Sequence, residues 1–171
     1  MKLTQYSEGC GALISEIQLA DLSVTQLADL RTIFAKHGLL FFRDQDFSPQ
    51  DHLQFAQRFG SIVVNKFFRA IEQFPEIAEV RKEKEQQTNI GGGWHTDHSY
   101  DDIPAMGSIL VARKLPETGG DTQFANLANA YDALSPQIKS RIENLRAVHS
   151  NKHLYGENGL YRMTDLAEHL G

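Results

Sequence analysis

Between Ser23 and Gly60 the chain carries two helical repeats, each with its own start and stop, and from Gly60 to Asn126 it carries none. That change of period constrains the fold more than any other feature of the sequence. In the first repeat Ser23 is placed as an N-cap, with Gln26 at the capping-box position. Val24, Leu27, Leu30, Ile33 and Phe34 then recur at helical spacing until Gly38 ends the run. In the second repeat Ser48 caps and Pro49 takes the first position. Leu53, Ala56 and Phe59 form its buried stripe, and Gly60 stops it. Ahead of the first helix, Ala12 to Ile17 partly alternates apolar and polar residues and reads as a strand. Leu39 to Phe42, between the helices, reads as a buried strand, and DQDFS after it as a turn.

Beyond Gly60, strand-like pieces near 62–68, 77–83, 95–100, 107–113, 121–125 and 146–150 are separated by turns. Two short helices interrupt them. One starts after Asn126; the other is capped by Ser135, with Pro136 in its first turn and Ile138, Ile142 and Leu145 facing inward. Helices first and many short strands afterwards predict an α+β fold with a jelly-roll or β-sandwich core. The last 21 residues, from Asn151, show no strand pattern and are expected to form a loop with a short helix, as a lid or a connecting segment.

At 171 residues the chain suits one domain. The net charge of −5 comes without a basic block, which argues against nucleic acid or an anionic membrane as partner. The longest apolar run, Gly38 to Phe42, is too short to span a bilayer. Cys10 is the only cysteine, so an internal disulfide is excluded and a reducing cytoplasm is the expected compartment. The sequence is compatible with a homo-oligomer but does not require one.

The chemistry concentrates in GGGWHTDHSY, residues 91–100. On a strand, residues i and i+2 project from one face, about 6–7 Å apart. His95 and Asp97 would then present an imidazole and a carboxylate to one ion. The same pair also reads as two polar residues on a solvated strand edge. Gly91, Gly92 and Gly93 let the backbone flex or approach another group closely, but no Walker lysine follows them and no phosphate loop is formed. Trp94 is expected in the core or a pocket wall, and His98, on the opposite strand face from Asp97, in a supporting role. GGDTQFAN, residues 119–126, reads as a tight turn with Thr122 opening the next strand.

Taken together, WHTDHSY, PAMGSILVARKLPETGGDTQFAN, AYDALS and LRAVHS resemble the TauD/TfdA family of Fe(II)- and 2-oxoglutarate-dependent dioxygenases. HGLLFFRDQDFSPQDHLQFAQRFG resembles that family's opening strand–helix unit, and the likeness runs from about Gly11 to Ser150. The resemblance implies a double-stranded β-helix of cupin-like, jelly-roll type with N-terminal helices. It makes His95 and Asp97 two of three iron ligands, and Thr122, 27 residues after His95, a donor to the distal carboxylate of 2-oxoglutarate. It implies Fe(II), 2-oxoglutarate and O₂ acting on a small, anionic organic substrate, with release of succinate and CO₂. Asn65, Phe68 and Gly91 fall at substrate-pocket positions. The taurine-oxidising members carry histidine, tyrosine and asparagine there, which counts against taurine.

The largest departure from the family's pattern is an absence. The third, downstream iron ligand and the arginine that follows it have no match, because His149, His153 and His169 stand in the wrong context. His149 is read as structural and the other two as loop residues. The 171 residues are therefore expected to be one partial dioxygenase domain. Two other readings stay open: a non-catalytic metal-binding fragment, and a different cupin-like metalloenzyme such as a Zn or Ni isomerase or hydrolase.

Overall fold

The computed structural model describes residues 1–65, 67–86 and 91–155. Three strands open the chain: β1 (Lys2–Gln5), β2 (Ala12–Ser15) and β3 (Leu40–Phe42). They form one sheet in the order β1-β2-β3. The β1–β2 pair is antiparallel, with Leu3 opposite Ile14, and the β2–β3 pair is parallel, with Leu13 opposite Phe41. A parallel pair needs a crossover, and helix α1 (Val24–His37) supplies it. Its start is the expected one: Ser23 accepts from the Gln26 N–H while the Gln26 side chain accepts from the Ser23 N–H. Gly38 ends the helix at φ 69°, a left-handed conformation that glycine adopts without a Cβ clash.

Helix α2 (Pro49–Phe59) follows, then α3 (Leu127–Asp132) after Asn126 and α4 (Pro136–Ile142) after Ser135, with both caps as expected. The chain clusters into two compact units, residues 1–55 with 110–146 and residues 56–109 with 147–171.

In the first unit the central strand sets the core. Along β2 every second residue, Ala12 and Ile14, is buried, and Leu19, Leu22, Leu30, Phe47 and Phe55 are buried too. Two glutamine amides lock the loop after β2 to the loop after β3. Gln45 donates to the Ile17 carbonyl and accepts from Leu19 N–H, and Gln18 donates to the Asp44 carbonyl and accepts from Asp46 N–H. The later part of the unit is tied to this sheet by Arg113, which donates to the Phe47 carbonyl (2.6 Å), and by Asn126 and Asn129, which both donate to the Gly9 carbonyl. Phe124 meets Phe41 edge to face at 6.4 Å. Among the described residues of the second unit, β4 (Ala70–Ile71) and β5 (Phe74–Ala78) form a hairpin, and a short helix, α5 (Lys152–Tyr155), follows later in the chain.

Several expectations need correction. β1 has no counterpart in the sequence reading. The α1 stripe is longer in sequence than in burial: Leu30 is fully buried, Leu27, Ile33 and Phe34 half-buried, and Val24 exposed. The most buried residue of α2 is Phe55, with Leu53, Ala56 and Phe59 half-buried around it. Ile138 and Leu145 are exposed, because a helical period says which residues share a face and not whether anything covers it. Trp94 is 71% exposed rather than in the core; its neighbours Gly91 to Gly93 offer no side chains to pack on. Of the strand-like pieces beyond Gly60, 77–83 begins at the end of β5, and no described residue of 95–100, 107–113, 121–125 or 146–150 is in a strand. His149 is exposed and lies in no strand. Alternation shows that a segment suits a pleated ribbon, but a strand exists only where a second backbone lies about 4.8 Å away to take its hydrogen bonds. Most of the expected terminal lid, including His169, lies in 156–171, outside the described residues.

Candidate metal centre

His95 and Asp97 meet in the second unit, though not on a strand. His95 and Thr96 are irregular, and residues 97–100 form a turn in which His98 adopts φ 53°. The turn is closed twice between the same two residues. Asp101 N–H donates to the His98 carbonyl (3.0 Å), and His98 Nδ1 lies 2.9 Å from Asp101 Oδ2. His98 thus takes the supporting role expected of it, by holding the chain reversal directly after Asp97.

The reversal leaves His95 Nε2 facing Asp97 Oδ1 at 3.2 Å, with about half of each side chain exposed (52% and 59%). The other ring nitrogen decides what this contact means. His95 Nδ1 lies 2.8 Å from the Gly93 carbonyl, which can only accept, so Nδ1 carries the hydrogen. In the neutral ring Nε2 then presents a lone pair to a carboxylate oxygen. Two acceptors then face each other, an approach that a proton or a metal cation between them would relieve. A proton makes the contact an ion pair; a metal cation makes it half a coordination site. Metal–nitrogen and metal–oxygen bonds of about 2.1 Å put neighbouring octahedral donors about 3.0 Å apart, and the observed separation is close to that.

Each donor is also anchored at its far atom. Gly93 holds His95, and the Ser108 hydroxyl donates to Asp97 Oδ2 at 3.1 Å. Metal ligands are commonly oriented in this way by a hydrogen bond to the atom that does not bind the metal. Gly91 stands beside the imidazole at φ 72°. A Cβ there would lie 3.3 Å from His95 Cε1 and 3.9 Å from Nε2, so the missing side chain leaves room at the donor edge.

The residues present therefore fit a divalent cation at two positions, one nitrogen and one oxygen. Among the described residues no group of three or more histidine, cysteine, aspartate or glutamate side chains could hold a metal ion. The remaining sequence candidates are placed as follows. Asn65 closes a turn, its Oδ1 accepting from the backbone N–H of Phe67 (2.8 Å) and Phe68 (3.1 Å), and Phe68 is half-buried. Thr122 belongs to the first unit and is exposed, just after Gly119 and Gly120, both at positive φ. Residues 117 and 118 bend, but 119–125 are irregular, so neither the tight turn expected at Gly119-Gly120 nor the strand after it is formed.

The sequence reading missed Ser108, Asp101 and the Gly93 carbonyl. The His98-x-x-Asp101 spacing could have suggested the turn. Nothing local to Ser108 marks it as a partner of Asp97, since the two are 11 residues apart.

Residues 2–169 match the family described as taurine catabolism dioxygenase TauD, TfdA family. The chain belongs to the TauD/TfdA family. It is 32% identical over 163 residues to an (S)-phenoxypropionate/alpha-ketoglutarate-dioxygenase of Sphingobium herbicidovorans, a match covering 92% of this chain and 55% of the relative. It is 35% identical over 158 residues to an alkylsulfatase of Acinetobacter baylyi, covering 91% of this chain and 49% of that protein. Among solved structures, AAD-2 in complex with Mn(II) and N-oxalylglycine superimposes with a TM-score of 0.68 at 29% identity, over 85% of this chain and 50% of that one. The chain thus spans about half the length of the curated relatives it matches. Membership of the family accounts for the mixed helix-and-sheet fold of the described elements.

Proposed function

We propose that this chain forms part of an Fe(II)- and 2-oxoglutarate-dependent dioxygenase that hydroxylates a small, anionic organic substrate. The observation that carries the reading is the 3.2 Å approach of His95 Nε2 to Asp97 Oδ1 while Nδ1 is committed to the Gly93 carbonyl. A cation would relieve that arrangement, and a nitrogen–oxygen pair of this kind suits Fe(II). Family membership supplies the reaction class. The AAD-2 complex supports the choice of co-substrate, because N-oxalylglycine carries the oxalyl unit of 2-oxoglutarate with an N–H in place of a methylene.

In this reading His95 and Asp97 hold the metal and leave the other positions around it to further ligands. When bound, Fe(II) with 2-oxoglutarate supplies the oxidation of a substrate C–H bond by O₂, the co-substrate leaving as succinate and CO₂. Thr122 is assigned to the distal carboxylate of 2-oxoglutarate, on the family resemblance and on its exposed hydroxyl, a group able to donate to a carboxylate. A third protein ligand and a charged partner for that carboxylate come from outside the residues described. Gly91 is proposed to border the substrate space. Asn65 and Phe68 lie on a turn that we place at its edge, and their departures from the taurine-oxidising pattern favour a substrate other than taurine. The relatives named for phenoxypropionate and alkyl sulfate chemistry support an anionic substrate. We further propose that both units belong to one double-stranded β-helix domain, and that the protein works in the cytoplasm.

The test is anaerobic addition of Fe(II) and 2-oxoglutarate to the full-length gene product, with the visible charge-transfer band of the chelate as readout. A band that disappears in His95→Ala and in Asp97→Ala supports the reading. A band that survives both substitutions refutes the ligand assignment. Turnover supported by Zn(II) in the absence of 2-oxoglutarate refutes the reaction class.

A further inference from the structure

We propose that Ser108 is a positioning residue that keeps Asp97 bound to the cation through one oxygen; the proposal rests on the reading of His95 and Asp97 as metal ligands. A carboxylate can meet a cation through one oxygen or chelate it through both, and chelation consumes an extra coordination position. The two oxygens of Asp97 are not equivalent here. Oδ1 faces His95 Nε2 at 3.2 Å, and Oδ2 accepts from the Ser108 hydroxyl at 3.1 Å. Swinging Oδ2 toward a cation held by His95 would break the bond to Ser108 and turn Oδ1 away from the imidazole. The hydroxyl therefore favours attachment through Oδ1 alone. It also draws charge toward the far oxygen and fixes the carboxylate plane before the metal arrives, as the Gly93 carbonyl does for the imidazole. A position left free in this way is one that a co-substrate or O₂ needs.

Ser108 is exposed, and removing its hydroxyl takes nothing from the core. Ser108→Ala, Ser108→Thr and Asp97→Ala are compared in the full-length gene product, with Co(II) as probe. The visible d–d bands of Co(II) report both its affinity and its coordination number. Ser108→Ala is expected to weaken Co(II) binding about tenfold and to change the band intensity as the carboxylate becomes free to chelate. Ser108→Thr, which restores the hydroxyl, is expected to keep the wild-type affinity and spectrum. Wild-type affinity and spectrum in Ser108→Ala would overturn the proposal, as would a threonine variant that behaves like the alanine one. Wild-type Co(II) binding by Asp97→Ala would overturn the metal-ligand reading itself, which separates the two failures.

Discussion

Gly91→Ala tests the candidate centre without touching a donor atom. Gly91 sits at φ 72°, where an L-residue costs about 1–2 kcal/mol. The added Cβ would lie 3.3 Å from His95 Cε1, tight enough that the ring must give by a few tenths of an ångström. The ring is half-exposed and can move, but moving it disturbs both the 2.8 Å contact to Gly93 and the 3.2 Å approach to Asp97. The strain thus has two outlets. If the segment keeps its conformation, the strain appears as lost stability, about 2–4 °C in melting temperature per kcal/mol for a protein of this size. If the segment relaxes, the strain must be restored on metal binding, and Co(II) affinity falls by about 5–30-fold. Gly93→Ala is the control: a Cβ there meets nothing within 4 Å, and Gly93 is not among the residues at positive φ. Thermal melts and Co(II) titrations of the two variants, side by side, measure both outlets. If Gly91→Ala matches Gly93→Ala in both, the reasoning about the geometry beside His95 is wrong.

The remaining predictions concern the scaffold. Leu30→Ala empties a fully buried position on α1 and is expected to cost about 2–5 kcal/mol in denaturant unfolding; a loss below about 1 kcal/mol would show that α1 does not seal the core. The Ser48 hydroxyl, and after it the Ser48 N–H, hold the Asp51 carboxyl below its ordinary value of 3.8. Because the folded value is depressed, the stabilisation is present above the ordinary value and is lost as pH falls through the folded one. In Ser48→Ala the Asp51 titration, followed by carboxyl NMR, is expected to move up toward 3.8, and an unmoved titration would remove Ser48 as the cause.

The helices were legible because their determinants are local. Ser23, Gln26 and Gly38 lie within one or two turns of the backbone groups they satisfy, so residue type and spacing suffice to place α1. The same holds for Ser48 and Pro49 at α2, Asn126 at α3 and Ser135 at α4. The strands beyond Gly60 were not legible, because alternation is a property of one segment and pairing a property of two. Among the described residues of that stretch only the hairpin of Ala70–Ile71 and Phe74–Ala78 became strand, where a tight turn sets Ile71 opposite Phe74.

The candidate centre divides in the same way. Residue chemistry and short spacing made His95 and Asp97 a candidate nitrogen–oxygen pair but left a solvated strand edge open; the likeness to the TauD/TfdA family is what favoured the metal reading and put Gly91 at the pocket. The route by which the pair meets was settled only by tertiary structure. A strand was expected to carry both donors on one face, whereas a turn clamped by His98 and Asp101 brings them together. The chain then returns to lay Ser108 against Asp97 and so orients the carboxylate. Spacing along a sequence limits which side chains can share an ion. Where each donor atom points depends on hydrogen bonds made with residues distant along the chain.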